Sequence, residues 1–487
     1  MAVVNLNSIS QKTSLNQSNQ EETPFSEAYQ ADFVHFSNAG SPALHTIPAL
    51  RAWRSEAMLR VNKFGLPTPR HEAWRNFPLN RYLSNAFSLK TSLLNIAQEL
   101  TLADIQPHVL PDAYRLVFVD GHFSLGLSSS FDNLPEGLQV TPINNALEQN
   151  PEAMLNAAGM LSDEYDAFAL LNAALFQNGA CVKVQEGCQI DKTVELVFIA
   201  SAATEVNQLP GMVYMRNHVS LAPNSKLTIF VQQLSLNVVP GQTGATIPFC
   251  HNIAQHITLM ENAALDMTIL TQTPENTWLL GSERAELAEK SSLNLSTVSV
   301  GKGIARHSVE VNIRGEGADA KMNGLDILND KGTTHHETRM SHYAGNATSD
   351  QFYKGILDDS TQVNFSGMVF VATDADGTDS RQLNRNLLLS DNAKASTRPQ
   401  LQINAHDVKC AHGATVGSLE PDQLFYLASR GLGRGLAQSL LTYGFAEEIV
   451  LRVDNAAIRK VLNVAILKSL HVCHQLDSDH GVISEKA

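Results

Sequence analysis

From Asp407 to Gly417 the sequence reads DVKCAHGATVG. Residues two apart on an extended strand project from the same face, so Cys410 and His412 point together. A thiolate beside an imidazole makes a donor pair competent for zinc or for an iron–sulfur cluster. Two donors do not close a site, and a partner chain or a substrate would have to complete it. The plain alternative is a packed cysteine next to a hydrogen-bonded histidine. The preceding run LQINAHD alternates, with Leu401, Ile403 and Ala405 on one side. If that register runs on through His406-Asp407, Cys410 and His412 lie with Gln402, Asn404 and His406, away from the apolar set.

Two other stretches have the residue types for metal chemistry. In THHETRMSH (Thr334–His342), His336 and His342 share one face of a strand. At strand rise they are about 20 Å apart, too far for one ion, so the segment reads as polar side chains on an outer rung. DADGTDSRQLNRN (Asp374–Asn386) crowds carboxylates together but lacks the glycine position and terminal glutamate of an EF-hand, and reads as a long solvated loop. The chain has no GxxxxGK[ST] phosphate loop, no GxSxG elbow, no HExxH and no CxxC pair.

The elements that must hold Cys410 and His412 are mostly strands. Helical patterning starts near Pro48, with Leu50, Trp53, Met58 and Leu59 on one face. Asp120-Gly121 between β-rich runs marks a hairpin at Arg115–Leu127, and a helix is expected across Asp163–Phe176. From Ala180, short β-branched or alternating runs recur between turns of Asn, Gly, Ser and Ala. Superposing the turns aligns Leu227, Leu265, Leu293, Ala320, Ser349 and Ala395, with a central spacing of about 28 residues and longer intervals at both ends. Stacked rungs of a β-solenoid produce such a repeat, because no rung buries its inner face alone. An antiparallel sandwich, with similar turn signals, is the other reading. Glu420-Pro421 opens a helical regime, in which Leu436, Leu440, Leu441, Phe445 and Ile449 mark one helix and Ala457 to Leu470 another. A cap over the open end of the solenoid is the simple role for these helices.

Composition narrows the function classes. The net charge of −14, with no basic run, argues against a nucleic-acid partner. The longest apolar stretch, near Ala167–Phe176, is too short to span a bilayer, and the first residues lack the basic-then-apolar order of a secretory signal. Five scattered cysteines fit a reducing cytoplasm. The stretch before His45 is rich in Ser, Asn, Gln and Glu and reads as disordered.

Three segments carry a resemblance: NLLLSDNAKASTRPQL, DVKCAHGATVG, and DQLFYLASRG followed by a helix ending GFAEEI. Together they resemble the signature of the SufB/SufD family of iron–sulfur cluster assembly scaffolds. TPRHEAWRNFPL and LVFVDGHFS are similar to that family's entry segment and hairpin, so the resemblance runs from about Pro48 to His474. SufB-type chains carry a cysteine where this sequence has Ala393 and a glutamate where it has Gly413, so KCxHGATVG resembles the SufD branch.

The resemblance implies a mainly β fold, a right-handed parallel β-helix at 166–420. A helical segment with a hairpin (46–165) would precede it and a helical domain (421–476) would follow, with polar tails at 1–45 and 477–487. It implies a non-catalytic scaffold that pairs with a SufB-type chain through the β-helix. The C-terminal helices, with Leu436, Leu440 and Phe445, would bind a SufC-type ABC ATPase, and a cysteine desulfurase system would supply sulfur. His412, and with less weight Cys410, would face a transient iron–sulfur cluster or iron shared with SufB, none held tightly by this chain alone. The alternatives are a SufB-like homodimeric scaffold, disfavoured by Ala393, and a β-helix enzyme acting on polysaccharide, disfavoured because the only dense acidic cluster is Asp374–Asp379 and no secretion signal is read.

Overall fold

The computed structural model describes residues 47–68, 71, 74–85, 87–89, 100–131, 134–157, 166–201, 211–236 and 248–470. The polar tails, the Asp163 end of the expected helix and the His474 end of the resemblance lie outside them.

The chain winds as a parallel β-solenoid whose strands fall alternately into two sheets. The first sheet stacks Ala180–Val184, Gly211–Leu221, Phe249–Leu259, Thr277–Leu287, Ile304–Ile313, Thr333–His342, Gln362–Val371 and Lys394–Ile403. The second stacks Val194–Ser201, Lys226–Leu236, Ala264–Thr273, Ser292–Gly301, Asp319–Leu328, Thr348–Leu357, Asp379–Leu388 and Lys409–Gly417. Tyr114–Val119, paired with His122–Phe123 across the Asp120-Gly121 turn, extends the second sheet beside Val194–Ser201. The solenoid, not the sandwich, is therefore the fold. Its corners follow from turn chemistry. Asn224, Asn262, Asp330, Asn346 and Asp359 turn left-handed, at φ between 51° and 58°, a region that Asn and Asp tolerate. Ala263, Ala318, Ala347 and Ala375 fill the corners from inside, fully buried.

Within each strand, alternate residues enter one continuous core between the sheets. The repeat read from the turns holds residue by residue from Leu227 to Ser349, since Leu227, Leu265, Leu293, Ala320 and Ser349 are direct neighbours in parallel register. Its last member does not hold. Ser349 is followed by Ser380 and then Cys410, whereas Ala395 lies in the first sheet beside Val363. Both sheets turn corners with the same small residues, so the corner motif does not distinguish them.

The outer faces of the sheets are covered separately. Helices Pro48–Phe64, Leu79–Ser84 and Ala167–Leu175 pack Tyr82, Phe168 and Leu171 onto Met212, Tyr214, Trp278 and Leu280 of the first sheet. Asp166 caps the last of these helices by accepting from the Phe168 and Ala169 N–H groups, and it pairs with buried Arg306 at 2.7 Å. Asn172 pins the same helix by donating to the carbonyls of Met215 and Asn252.

Helices Arg434–Val450 and Ala456–Ser469 lay Ala446, Ile449, Ile458, Leu462 and Ile466 on Phe230, Leu270, Val298, Leu325 and Phe352 of the second sheet. They lie along the flank of the solenoid and do not cap its end. Amphipathic spacing shows that a face is buried but not which surface buries it. Lys354 fixes this flank: its ammonium donates to the Phe445 carbonyl at 2.8 Å, pairs with Glu448 at 2.9 Å and sits 4.0 Å from the Phe445 ring.

Two sequence expectations are corrected. His336 and His342 are not on an outer rung; both side chains are buried inside the solenoid. His336 bonds Asp326 at 2.8 Å and stacks on His307, while His342 bonds Ser349 at 2.9 Å across the interior. Each bonds the opposite sheet through Nε2, while its Nδ1 is buried without a partner among the described residues, and local patterning shows neither. DADGTDSRQLNRN is not a long loop, because it becomes a strand at Asp379 and buries Gln382, Asn384 and Asn386.

Candidate functional site

The solenoid ends with strands Lys394–Ile403 and Lys409–Gly417, and among the described residues no strand pairs beyond either. The last turn therefore presents open backbone edges, and its side chains are half-buried or exposed, unlike those of every turn before it.

Residues 404–408 carry the chain from the first sheet to the second, which changes the face expected for the pair. Cys410 continues the inner column after Ser380, and His412 the inner column after Gln382. Cys410 packs against the core together with Leu401, Ala405 and Val408. The pair thus shares the interior side with the apolar set and does not lie with Gln402 and Asn404, because the segment is two strands joined by a corner.

Cys410 is half-buried and His412 exposed at the open mouth. Burial holds the Cys410 thiol above its ordinary range; the backbone N–H of Ser380 donates to the sulfur and opposes this, while nearby Asp379 adds to it. Among the described residues no three His, Cys, Asp or Glu side chains converge as a metal cluster, so this chain brings two donors to its mouth. At Gly413 an added Cβ would meet the Leu383 side chain at 3.3 Å, so a larger residue would press on the strand beneath. Ala393 lies buried in an apolar corner with Leu328, Leu357 and Val363, where no sulfur is offered.

The residues expected to bind a partner fall in different places. Leu436 is half-buried, Leu440 is exposed, and Phe445 is engaged with Lys354. Sequence reasoning gave less weight to the helix Pro421–Ser429, which buries none of its residues and exposes Phe425 and Tyr426 by 76% and 56%. It also missed the residues beneath the mouth, Ser349, Ser380, Gln351 and Gln382. Steps of one and two turns back along the repeat from Cys410 and His412 would have found them.

A family model described as the SufBD core domain of the SUF system for iron–sulfur cluster assembly matches residues 200–445, the last turn included. Another, described as the SufBD protein N-terminal region, matches residues 28–196. The iron–sulfur cluster assembly protein SufD of Escherichia coli is 31% identical over 404 residues, covering 81% of this chain and 87% of its own. The chain belongs to the SufBD family.

A SufBD family iron–sulfur cluster assembly protein of Synechocystis is 30% identical over 398 residues, 81% of this chain and 85% of its own. One from Mycobacterium tuberculosis is 31% identical over 220 residues, 43% of this chain and 55% of its own. SufBD proteins are assembly scaffolds of the SUF system and are generally non-catalytic. No helix among the described residues is long and apolar enough to cross a membrane.

Proposed function

We propose that this chain is the SufD-type scaffold of a three-component assembly, pairing with a SufB-type chain at its last turn and with a SufC-type ATPase through its C-terminal helices. The observation that carries the reading is the last turn, whose inner columns end in Cys410 and His412 and whose strand edges have no further strand beside them among the described residues. An edge of this kind is a template for a second sheet, and two donors at its mouth are half of a site. Ala393 and Gly413, in place of the cysteine and glutamate of SufB-type chains, support the SufD assignment over a SufB-like homodimer.

In this reading the iron–sulfur cluster is cargo. The partner supplies thiolate, and His412 supplies an imidazole, which replaces thiolate in some clusters and makes a weaker, more releasable donor. Cys410 stands behind it as a second, more covered donor. Phe425, Tyr426 and Leu440 offer exposed apolar surface on the C-terminal helices for the ATPase. Cytoplasmic work with a cysteine desulfurase system as sulfur source completes the proposal.

Co-expression tests it. The tagged full chain should retain both a SufB-type scaffold and a SufC-type ATPase through purification. Leu440→Asp should release the ATPase at least tenfold more readily while the SufB-type chain stays bound. Purification of the chain as a homodimer alone, with both candidates present, would contradict the proposal.

A further inference from the structure

Two inner columns of the second sheet change character on the way to the mouth. Leu227, Leu265, Leu293 and Ala320 are followed by Ser349, Ser380 and Cys410. Ile229, Met267, Leu295 and Met322 are followed by Gln351, Gln382 and His412. A polar side chain in a solenoid core costs stability unless it finds partners. The serine column finds them, since His342 bonds Ser349 at 2.9 Å and Ser349 bonds Ser380 at 2.8 Å.

The glutamine column is only half satisfied. Gln351 Oε1 accepts from Thr338 at 3.0 Å and from the Gln382 amide nitrogen at 3.3 Å. Gln382 Oε1 is buried with no partner among the described residues. The opposite sheet makes room for this amide with Gly367, where a Cβ would stand 2.5 Å from Gln382 Nε2. Gly367 is not in the left-handed region, so space and not backbone freedom calls for glycine there. The next residue above Gln382, in register and projecting the same way, is His412.

We propose that Gln382 is a positioning residue for His412. Gln382 Oε1 makes no bond to the exposed His412 ring in this structure; with the ring turned inward, that free oxygen accepts from one ring N–H, which selects one tautomer and points the other ring nitrogen toward the mouth. Metal-binding histidines commonly donate their second N–H in this way, and losing such a support weakens metal binding about tenfold or more. The inference rests on the ligand role proposed for His412.

Two readouts test it. In the full chain labelled with 15N-histidine, the His412 ring signals, assigned by their loss in His412→Ala, should show one dominant tautomer at neutral pH. Gln382→Met, of similar volume but without an amide, should give mixed tautomers, and Gln382→Glu, which keeps an acceptor, should restore one. In the co-purified complex, Gln382→Met should keep its partners but lose cluster to a chelator about tenfold faster than wild type, with Gln382→Glu close to wild type. Should Gln382→Met fail to fold, a mixed His412 tautomer in the wild-type chain would by itself overturn the proposal. Unchanged tautomer and chelator rate in Gln382→Met, with cluster lost in His412→Ala, would overturn the positioning role alone. Full cluster in His412→Ala would overturn the ligand role beneath it as well.

Discussion

The early and late turns of this solenoid share one backbone but fill it with different side chains. Around Leu265 and Leu293 the inner columns are aliphatic, both sheets are flanked by helices, and the side chains are fully buried. Around Ser380 and Cys410 the columns are polar, and the final strands are open at their edges. The corner residues and strand lengths hardly change between the two regions. In a repeat fold one stretch can change its inner side chains while another keeps the stable core, because each turn contacts only its neighbours. The contrast is one of columns and not of the whole interior: Gln233, Thr271, Ser299 and Asp326 form a polar column through the early turns. That column is tied internally by the Thr271–Gln233 and Ser299–His307 bonds and stays closed.

Substitutions at the two ends should separate these roles. Leu293→Ala, in the centre of the aliphatic column, should cost about 3–4 kcal/mol in denaturant unfolding. A cost under about 1 kcal/mol would show that the early core is looser than its burial implies.

A smaller effect is expected from acid. Burial pushes the His342 imidazole down to about 4, so the folded chain holds it neutral. The unfolded chain takes up its proton near pH 6.5, so this contribution is intact above that value and is lost as pH falls toward 4, about 3 kcal/mol in all. His342→Gln should flatten the decline of melting temperature across this window, and an unchanged slope would place the acid sensitivity elsewhere.

On the helical flank, Lys354→Met removes a charged donor from the Phe445 carbonyl and should cost about 2 kcal/mol. Melting within error of wild type would mean that apolar packing alone holds that helix. Cys410→Ala should fall within about 1 kcal/mol of wild type, since among the described residues no turn stacks beyond the last one. A larger loss would make Cys410 a core residue and blur the contrast.

Much of this architecture was legible in the sequence. The solenoid announced itself through Leu227 to Ser349 because corner chemistry repeats with each turn, and the hairpin at Asp120-Gly121 followed from its turn residues. Ala395 was misplaced because two sheets with like corners give two overlapping repeats. The face of Cys410 and His412 hinges on the register through His406-Asp407, where a five-residue corner takes the place of continued alternation. The burial of His336 and His342 depends on partners supplied by the opposite sheet, which no local pattern contains. The proposed site reads in the sequence as two donors at strand spacing that do not close a site; the glutamine and serine beneath them emerge only once register is known.

The central claim is that the open last turn is half of a cargo site. It is tested most directly by counting iron and acid-labile sulfide in the co-purified complex carrying His412→Ala. The account predicts that both partners remain bound while cluster content falls about tenfold. Full cluster content in an intact complex would contradict it.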